Sequence, residues 1–154
     1  MTFRQLTLAD ALMVSAGMRA EDRECLEVVL GACDVEGFAV NRWQSDGAAW
    51  SMEQGDRPVA IFGLSRVNPW TLNAWLIGTP ALSVQSWKKL LRFSRTVRGN
   101  ALQTTRRIEC MVLSTWPRAA RFAESLGFEL EGVKRGAGRD GQDVLLYAIR
   151  KESA

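Results

Sequence analysis

The side chains able to move a proton in this chain are carboxylates, one tyrosine and three cysteines, because the sequence has no histidine. Loss of imidazole removes the usual general base, the usual metal ligand and the Ser-His and Cys-His nucleophile pairs together. Cys25, Cys33 and Cys110 are odd in number and irregularly spaced, and Cys110 lies inside an apolar strand pattern, so neither a disulfide framework nor a metal site is expected. That usage fits a reducing cytoplasm. The basic residues are uneven: Lys88, Lys89, Arg92, Arg95 and Arg98 fall on one predicted helix, with Arg106 and Arg107 soon after. Such a stripe could meet phosphates, but the net charge is only +3 and a solvated helix face is the plainer account, which argues against a nucleic-acid partner. Gly136-Ala137-Gly138-Arg139-Asp140-Gly141 spells G-x-G-x-x-G. A dinucleotide fingerprint needs a helix after it, whereas Asp143 to Tyr147 reads as strand, so the segment is expected to be a flexible hairpin tip. Lys134, Arg135 and Arg139 would present it to an acidic partner or substrate.

These residues must be positioned by one domain. With 154 residues, 47% apolar and 24% charged, residues 1–154 suffice for one buried core and not for two ordinary domains. No basic leader with an apolar run and cleavage site is visible, and no apolar stretch reaches the roughly 20 residues that cross a bilayer, so neither export nor a membrane is expected.

The periodicity gives an order of elements. Phe3 to Leu6 reads as a strand, and Thr7 caps a helix carrying Ala11, Leu12, Val14 and Met18. Ala20-Glu21-Asp22 starts a second helix that ends at Gly31. Ala49 to Glu53 and Val59 to Val67 alternate as a hairpin about Gly55-Asp56-Arg57-Pro58, and Trp70 to Ile77 forms a third strand of that group. Ser83 caps a helix of about 15 residues that stops at Gly99-Asn100. Ile108 to Leu113 is a buried strand, and Pro117 opens a helix with Ala119, Phe122, Ala123 and Leu126 on its apolar side. Phe128 to Lys134 and Asp143 to Ile149 close the chain. The result is an α/β (α+β) fold.

The segment Ala119-Ala120-Arg121-Phe122-Ala123-Glu124-Ser125-Leu126-Gly127-Phe128, in this element order, resembles the C-terminal half of the GNAT (GCN5-related N-acetyltransferase) fold. The resemblance implies a mixed central sheet of six to seven strands flanked by about four helices, and acetyl-CoA as cofactor. On it, Leu76 and Ile77 would hold the pantetheine arm through backbone groups, and the helix starting at Ser83 would face the pyrophosphate. Ser83, Gln85, Trp87, Lys88, Trp116, Arg118 and Phe122 complete the implied cofactor groove. Several landmarks of that family are changed: Gln85 and Trp87 fill its two glycine positions, Ala123 stands for its acid tyrosine and Trp116 for its asparagine. Lys88 and Lys89 could replace backbone contacts with charge. Glu53 and Tyr147 are the nearest groups left for acid or base work, and the catalytic residues stay unassigned. Of the six tryptophans, Trp70, Trp75, Trp87 and Trp116 are expected to converge on the cleft.

Residues 70 to 130 also resemble the GNAT-like proteins encoded in the morphogenesis regions of tailed bacteriophages, related in pattern to the T7-type internal virion protein. Two functions follow from these resemblances. One is an acetyl-CoA-dependent N-acyltransferase acting on a small-molecule or protein amine, encoded by a phage or prophage and working in the host cytoplasm. The other is a non-catalytic GNAT-like assembly protein with a filled cleft that binds a virion protein. A homodimer is compatible with either.

Overall fold

A computed structural model describes residues 2–31 and 34–152 of the chain, and Cys33 lies outside them. The elements run β1 (Thr2–Gln5), α1 (Leu8–Ala16), α2 (Ala20–Leu30), α3 (Val35–Gln44), β2 (Ala49–Gln54), β3 (Arg57–Asn68), β4 (Thr71–Gly78), α4 (Val84–Thr104), β5 (Arg107–Leu113), α5 (Pro117–Ser125), β6 (Glu129–Lys134) and β7 (Val144–Arg150). The seven strands form one mixed sheet in the order β1-β2-β3-β4-β5-β7-β6. Neighbours are antiparallel except β4 and β5, which run parallel.

The local signals act where the sequence puts them. The Thr7 hydroxyl accepts the Asp10 N–H at 3.1 Å, and Ser83 accepts that of Ser86 at 3.2 Å, so each helix start satisfies one of its free donors. α2 stops at Gly31, whose φ of 92° is open to glycine at little cost.

Three expectations are corrected. α3, unforeseen in sequence, makes a fifth helix; Asp34 caps it by accepting the Gly37 N–H at 3.2 Å, and it packs on α1. α4 runs through Gly99-Asn100 to Thr104, 21 residues in all. An exposed helical glycine costs only about 1 kcal/mol relative to alanine, and Ala101 and Leu102 beyond it pack into the core. The Gly136 to Gly141 segment is a hairpin connection as expected, but it is tied down: Gly138 N–H donates to Gln142 O at 2.8 Å, and Arg139 N–H donates to Val28 O of α2 at 2.8 Å.

The sheet is covered on both faces. α1, α2 and α3 bury Leu6, Ala11, Val14, Met18 and Ala39 against Ile61 and Ile77 on one side. α4 and α5 cover the other, where Leu72, Ile108, Val112, Ala123, Phe128 and Tyr147 form one cluster and Met52, Ala60, Phe62 and Leu90 another. Asp10, in the first turn of α1, is buried, receiving two hydrogen bonds from Arg4 and one of 2.6 Å from the Ser51 hydroxyl. Among the described residues no helix is long and apolar enough to cross a membrane.

The return from α3 into β2 depends on Gly47. Its φ is 139°, and a Cβ there would lie 1.8 Å from the Leu64 carbonyl oxygen. Gly47→Ala should therefore lower the unfolding free energy by roughly 2–3 kcal/mol, read as a shifted urea midpoint. An unchanged midpoint would disprove the close approach.

Candidate functional site

β4 and β5 are paired only at their beginnings, where Thr71, Leu72 and Asn73 face Arg107, Ile108 and Glu109. Beyond Asn73 and Glu109 the strands part, each held by its outer neighbour: β4 by β3 and β5 by β7. The gap opens a cavity of about 350 Å³ lined by residues from both faces of the sheet, among them Leu26, Phe38 and Arg42 on one side and Val97, Ala119 and Phe122 on the other.

Backbone alternation decides which groups of β4 look into it. The Thr79 N–H donates to Val59 O of β3, whereas the Gly78 N–H and C=O point the other way, to Asp22 and to the Arg19 N–H. Two-residue periodicity then turns the backbone groups of Ala74 and Leu76 toward the gap and those of Trp75 and Ile77 toward β3. The Ala74 C=O and the Leu76 N–H and C=O thus present a strand edge with no strand opposite.

At the Gly78 end the gap meets a vestibule of about 510 Å³, between the starts of α4 and α5, where Arg19, Lys88, Arg118 and Arg121 stand with Trp87, Trp116 and a single acid, Glu21. Arg19 ties the two spaces together. Its Nε donates to Asp22 Oδ2 at 2.7 Å, and its guanidinium lies 5.0 Å from the Trp87 ring centre and 5.3 Å from that of Trp116. Asp22 Oδ2 also accepts the Gly78 N–H at 3.1 Å. Burial pushes the Asp22 carboxyl up, against the pull of Arg19 and of the Gly78 N–H. Burial likewise pushes the Cys25 thiol up and the Cys110 thiol up to about 12, so neither cavity cysteine is a ready nucleophile at neutral pH.

The residues singled out in the sequence take these places. Leu76 and Ile77 line the gap, Trp87, Lys88 and Arg118 the vestibule, and Trp116 and Phe122 both. Trp87 packs edge-on against Phe122 with ring centres 5.2 Å apart. The Ser83 hydroxyl is used in the helix cap and lies 2.9 Å from that of Ser86, which donates on to Gln54. Gln85 is exposed and lines neither space. Trp70 does not converge with the others. It is exposed in the turn before β4, at the opposite end of the strand, because its N–H closes a turn onto the Asn68 side chain. Tyr147 is buried and donates to Glu124 at 3.0 Å, Glu53 pairs with Arg4 at 2.9 Å, and neither lines the gap. Two members of the basic stripe have local work: Arg95 donates to the Ser125 carbonyl and Arg98 to that of Leu126, at the negative end of α5.

Sequence reasoning missed Arg19, Asp22, Arg42 and Arg121. The Arg19 to Asp22 spacing puts both at the start of one helix, but nothing local shows that this helix end meets the last residue of β4.

A mixed sheet with β4 and β5 splayed, α4 starting at the splay and α5 following β5, defines the GNAT acyltransferase fold. No family model and no curated protein sequence matches the chain. Solved structures do. A GNAT-family acetyltransferase from Bacillus anthracis superposes with a TM-score of 0.73 at 13% identity, covering 98% of this chain and 95% of that one. The ribosomal-protein-S18-alanine N-acetyltransferase of Escherichia coli gives 0.73 at 17% identity, with 99% and 95% covered. The spermidine N-acetyltransferase of Vibrio cholerae, in complex with CoA and spermine, gives 0.68 at 17%, with 97% and 95% covered. At these identities the likeness is one of fold.

The raised pKa of Asp22 has a measurable sign. A carboxyl that holds its proton more tightly folded than unfolded stabilises the fold fully at low pH, and that contribution is lost as pH rises from the unfolded pKa through the folded one. The stability of the wild type relative to Asp22→Asn should therefore fall as pH rises above about 4, measured by chemical denaturation across a pH series. A difference that rises with pH would mean that Arg19 outweighs burial.

Proposed function

We propose that this protein transfers an acyl group from a coenzyme A thioester to an amine. The observation that carries the proposal is the gap between β4 and β5, an apolar slot with a free strand edge that opens into a vestibule holding four cations. That donor set fits a carrier with a long, amide-bearing arm and a polyphosphate end. The edge groups of Ala74 and Leu76 would hold the arm, and Lys88, Arg118 and Arg121, with Arg19, would hold the phosphates. When bound, the coenzyme would supply an acyl group already activated as a thioester.

The chain's own residues account for the rest. Charge replaces the glycine-loop amides: Trp87 stands beside the start of α4, where close backbone approach by phosphate would otherwise occur, and long basic side chains reach past it. Leu76, Val112 and Phe122 keep the slot apolar and exclude water. An N–H of the β4 edge, directed into that apolar space, is placed to donate to an oxygen that gains charge during acyl transfer. No free base lines the gap among the described residues, since the Asp22 carboxylate is engaged by Arg19 and Gly78. The amine would therefore arrive unprotonated; the coenzyme would depart as its thiolate, and the proton that the amine loses would pass to solvent outside the slot.

One observation favours a second reading, the non-catalytic GNAT-like assembly protein of tailed-bacteriophage type. Arg19 lies between Trp87 and Trp116, and Asp22 covers the Gly78 edge, so the passage from vestibule to gap is lined with contacts the protein makes to itself.

Calorimetric titration with acetyl-CoA separates the two. Acyl transfer predicts saturable binding by the wild type, weakened about thirtyfold in an Arg118→Ala, Arg121→Ala double variant, as expected when two charge-assisted contacts of roughly 1 kcal/mol each are removed. No binding by the wild type, with binding gained by Trp87→Gly, would overturn acyl transfer in favour of the closed protein.

A further inference from the structure

The cavity has a second polar end, on the opposite face of the sheet from the vestibule. Arg42 of α3 and Trp75 of β4 both line it there. The guanidinium carbon lies 5.4 Å from the Trp75 ring centre and 5.6 Å from that of Phe38. Two donors in this cluster have no acceptor: Arg42 Nε and Trp75 Nε1 are buried and make no hydrogen bond. Arg42 gives one hydrogen bond, from Nη2 to the Asn41 side chain at 2.7 Å, and among the described residues it forms no ion pair. The one carboxylate in the cavity lining among the described residues, Asp22, is engaged by Arg19.

A half-buried cation stacked on two aromatic rings, with an unused N–H beside an unused indole N–H, lacks one chemical partner: an anionic group with two acceptor oxygens. Guanidinium matches a carboxylate in shape as well as charge. The walls around the pair are apolar, with Leu26, Leu30 and Phe38 completing that side.

We propose that Arg42 and Trp75 form a carboxylate subsite for the acyl acceptor, and that the acceptor is a small amino acid with an apolar side chain. The identity of the acceptor rests on acyl transfer as the function; the carboxylate subsite itself does not. Trp75 lies between Ala74 and Leu76, whose backbone groups face the gap, so a ligand whose carboxylate meets Arg42 and Trp75 has an α-amine only a few bonds from the strand edge. Donor and acceptor then enter the cavity from opposite faces of the sheet and meet between the parted strands. The apolar side chain of the acceptor packs on Leu26, Leu30 and Phe38.

The test uses L-leucine and L-leucinamide as probes, which share the amine and the side chain and differ in the carboxylate. Each is titrated into the purified protein without coenzyme, with tryptophan fluorescence and melting temperature as readouts. Leucine should quench fluorescence and raise the melting temperature saturably, and leucinamide should do neither. Arg42→Gln should weaken the leucine response at least tenfold. Trp75→Phe, which keeps an aromatic face for Arg42 but removes the N–H together with part of the ring, should weaken the thermal response about threefold and decides the matter if Arg42→Gln does not fold. Equal responses to both probes, no response to leucine, or an undiminished leucine response in either folded variant would overturn the subsite. A parallel acetyl-CoA titration keeps the two proposals apart. Coenzyme binding without discrimination between the probes removes the subsite and leaves acyl transfer; discrimination without coenzyme binding keeps the subsite and removes acyl transfer.

Discussion

Everything of functional interest in this molecule depends on two parallel strands that stop pairing. β4 and β5 share three residue pairs and then diverge. A parted strand exposes backbone donors and acceptors, and burying them without partners is costly, so the gap must be held open by something stronger than the absent ladder. The hold comes from outside. β3 grips β4 from Ala60 to Asn68, and β7 grips β5 along its whole length. At the far end of β4, Arg19 and Asp22 take up the Gly78 C=O and N–H that a fifth strand would otherwise engage. On the gap side of β4 the Ala74 C=O and the Leu76 N–H and C=O are left with no strand opposite, in the middle of the cavity.

The same clamp fixes the bulky side chain at the start of α4. Trp87 would obstruct the start of α4 if it lay loose, but it is fixed between Phe122 and the Arg19 guanidinium. Cation–aromatic contacts of this kind contribute roughly 0.5–2 kcal/mol, comparable to one charge-assisted hydrogen bond. Arg19 can therefore exchange an indole face for a phosphate oxygen with little net change. The side chain that fills the passage in the free protein is chemically the one best able to open it to an anion.

How much of this was legible in the sequence follows from range. Thr7, Ser83, Gly31 and Pro117 act on the residues next to them, and each works as its type predicts. The order of strands followed from apolar alternation, and the α5 segment ending in Gly127 carried the fold because its helix-to-strand corner needs a positive φ, here 92°. α3 was silent because its signals are weak: Gly37 sits in its first turn and Ala39 is its one fully buried side chain, leaving little of the periodic apolar face that marks a helix. α4 was read too short because a Gly-Asn pair normally stops a helix, and only the packing of Ala101 and Leu102 across the domain overrides it. Arg19, Asp22 and Arg42 could not be read at all. Their meaning lies in contacts with β4 and with the tryptophans, and no local pattern encodes a partner dozens of residues away.

α2 is the element through which the two ends of the cavity communicate. Arg19, just before its first turn, stands in the vestibule; Asp22 closes the strand edge; Cys25, Leu26, Val29 and Leu30 line the wall that continues toward Arg42. A rigid helix of 11 residues cannot move at one end alone. Arg19 and Asp22 share an ion pair at that helix start, and Asp22 holds the Gly78 N–H, so the vestibule cation and the strand edge are linked through one carboxylate. On the two proposals above, an anion in the vestibule and a carboxylate at the Arg42 end would both touch this helix, and whatever free energy coupled them would be equal in both directions. For the proposed acyl transfer, a cavity with no free base among the described residues would gain from that arrangement, since its side chains would contribute chiefly by holding two reactants in register and keeping water out.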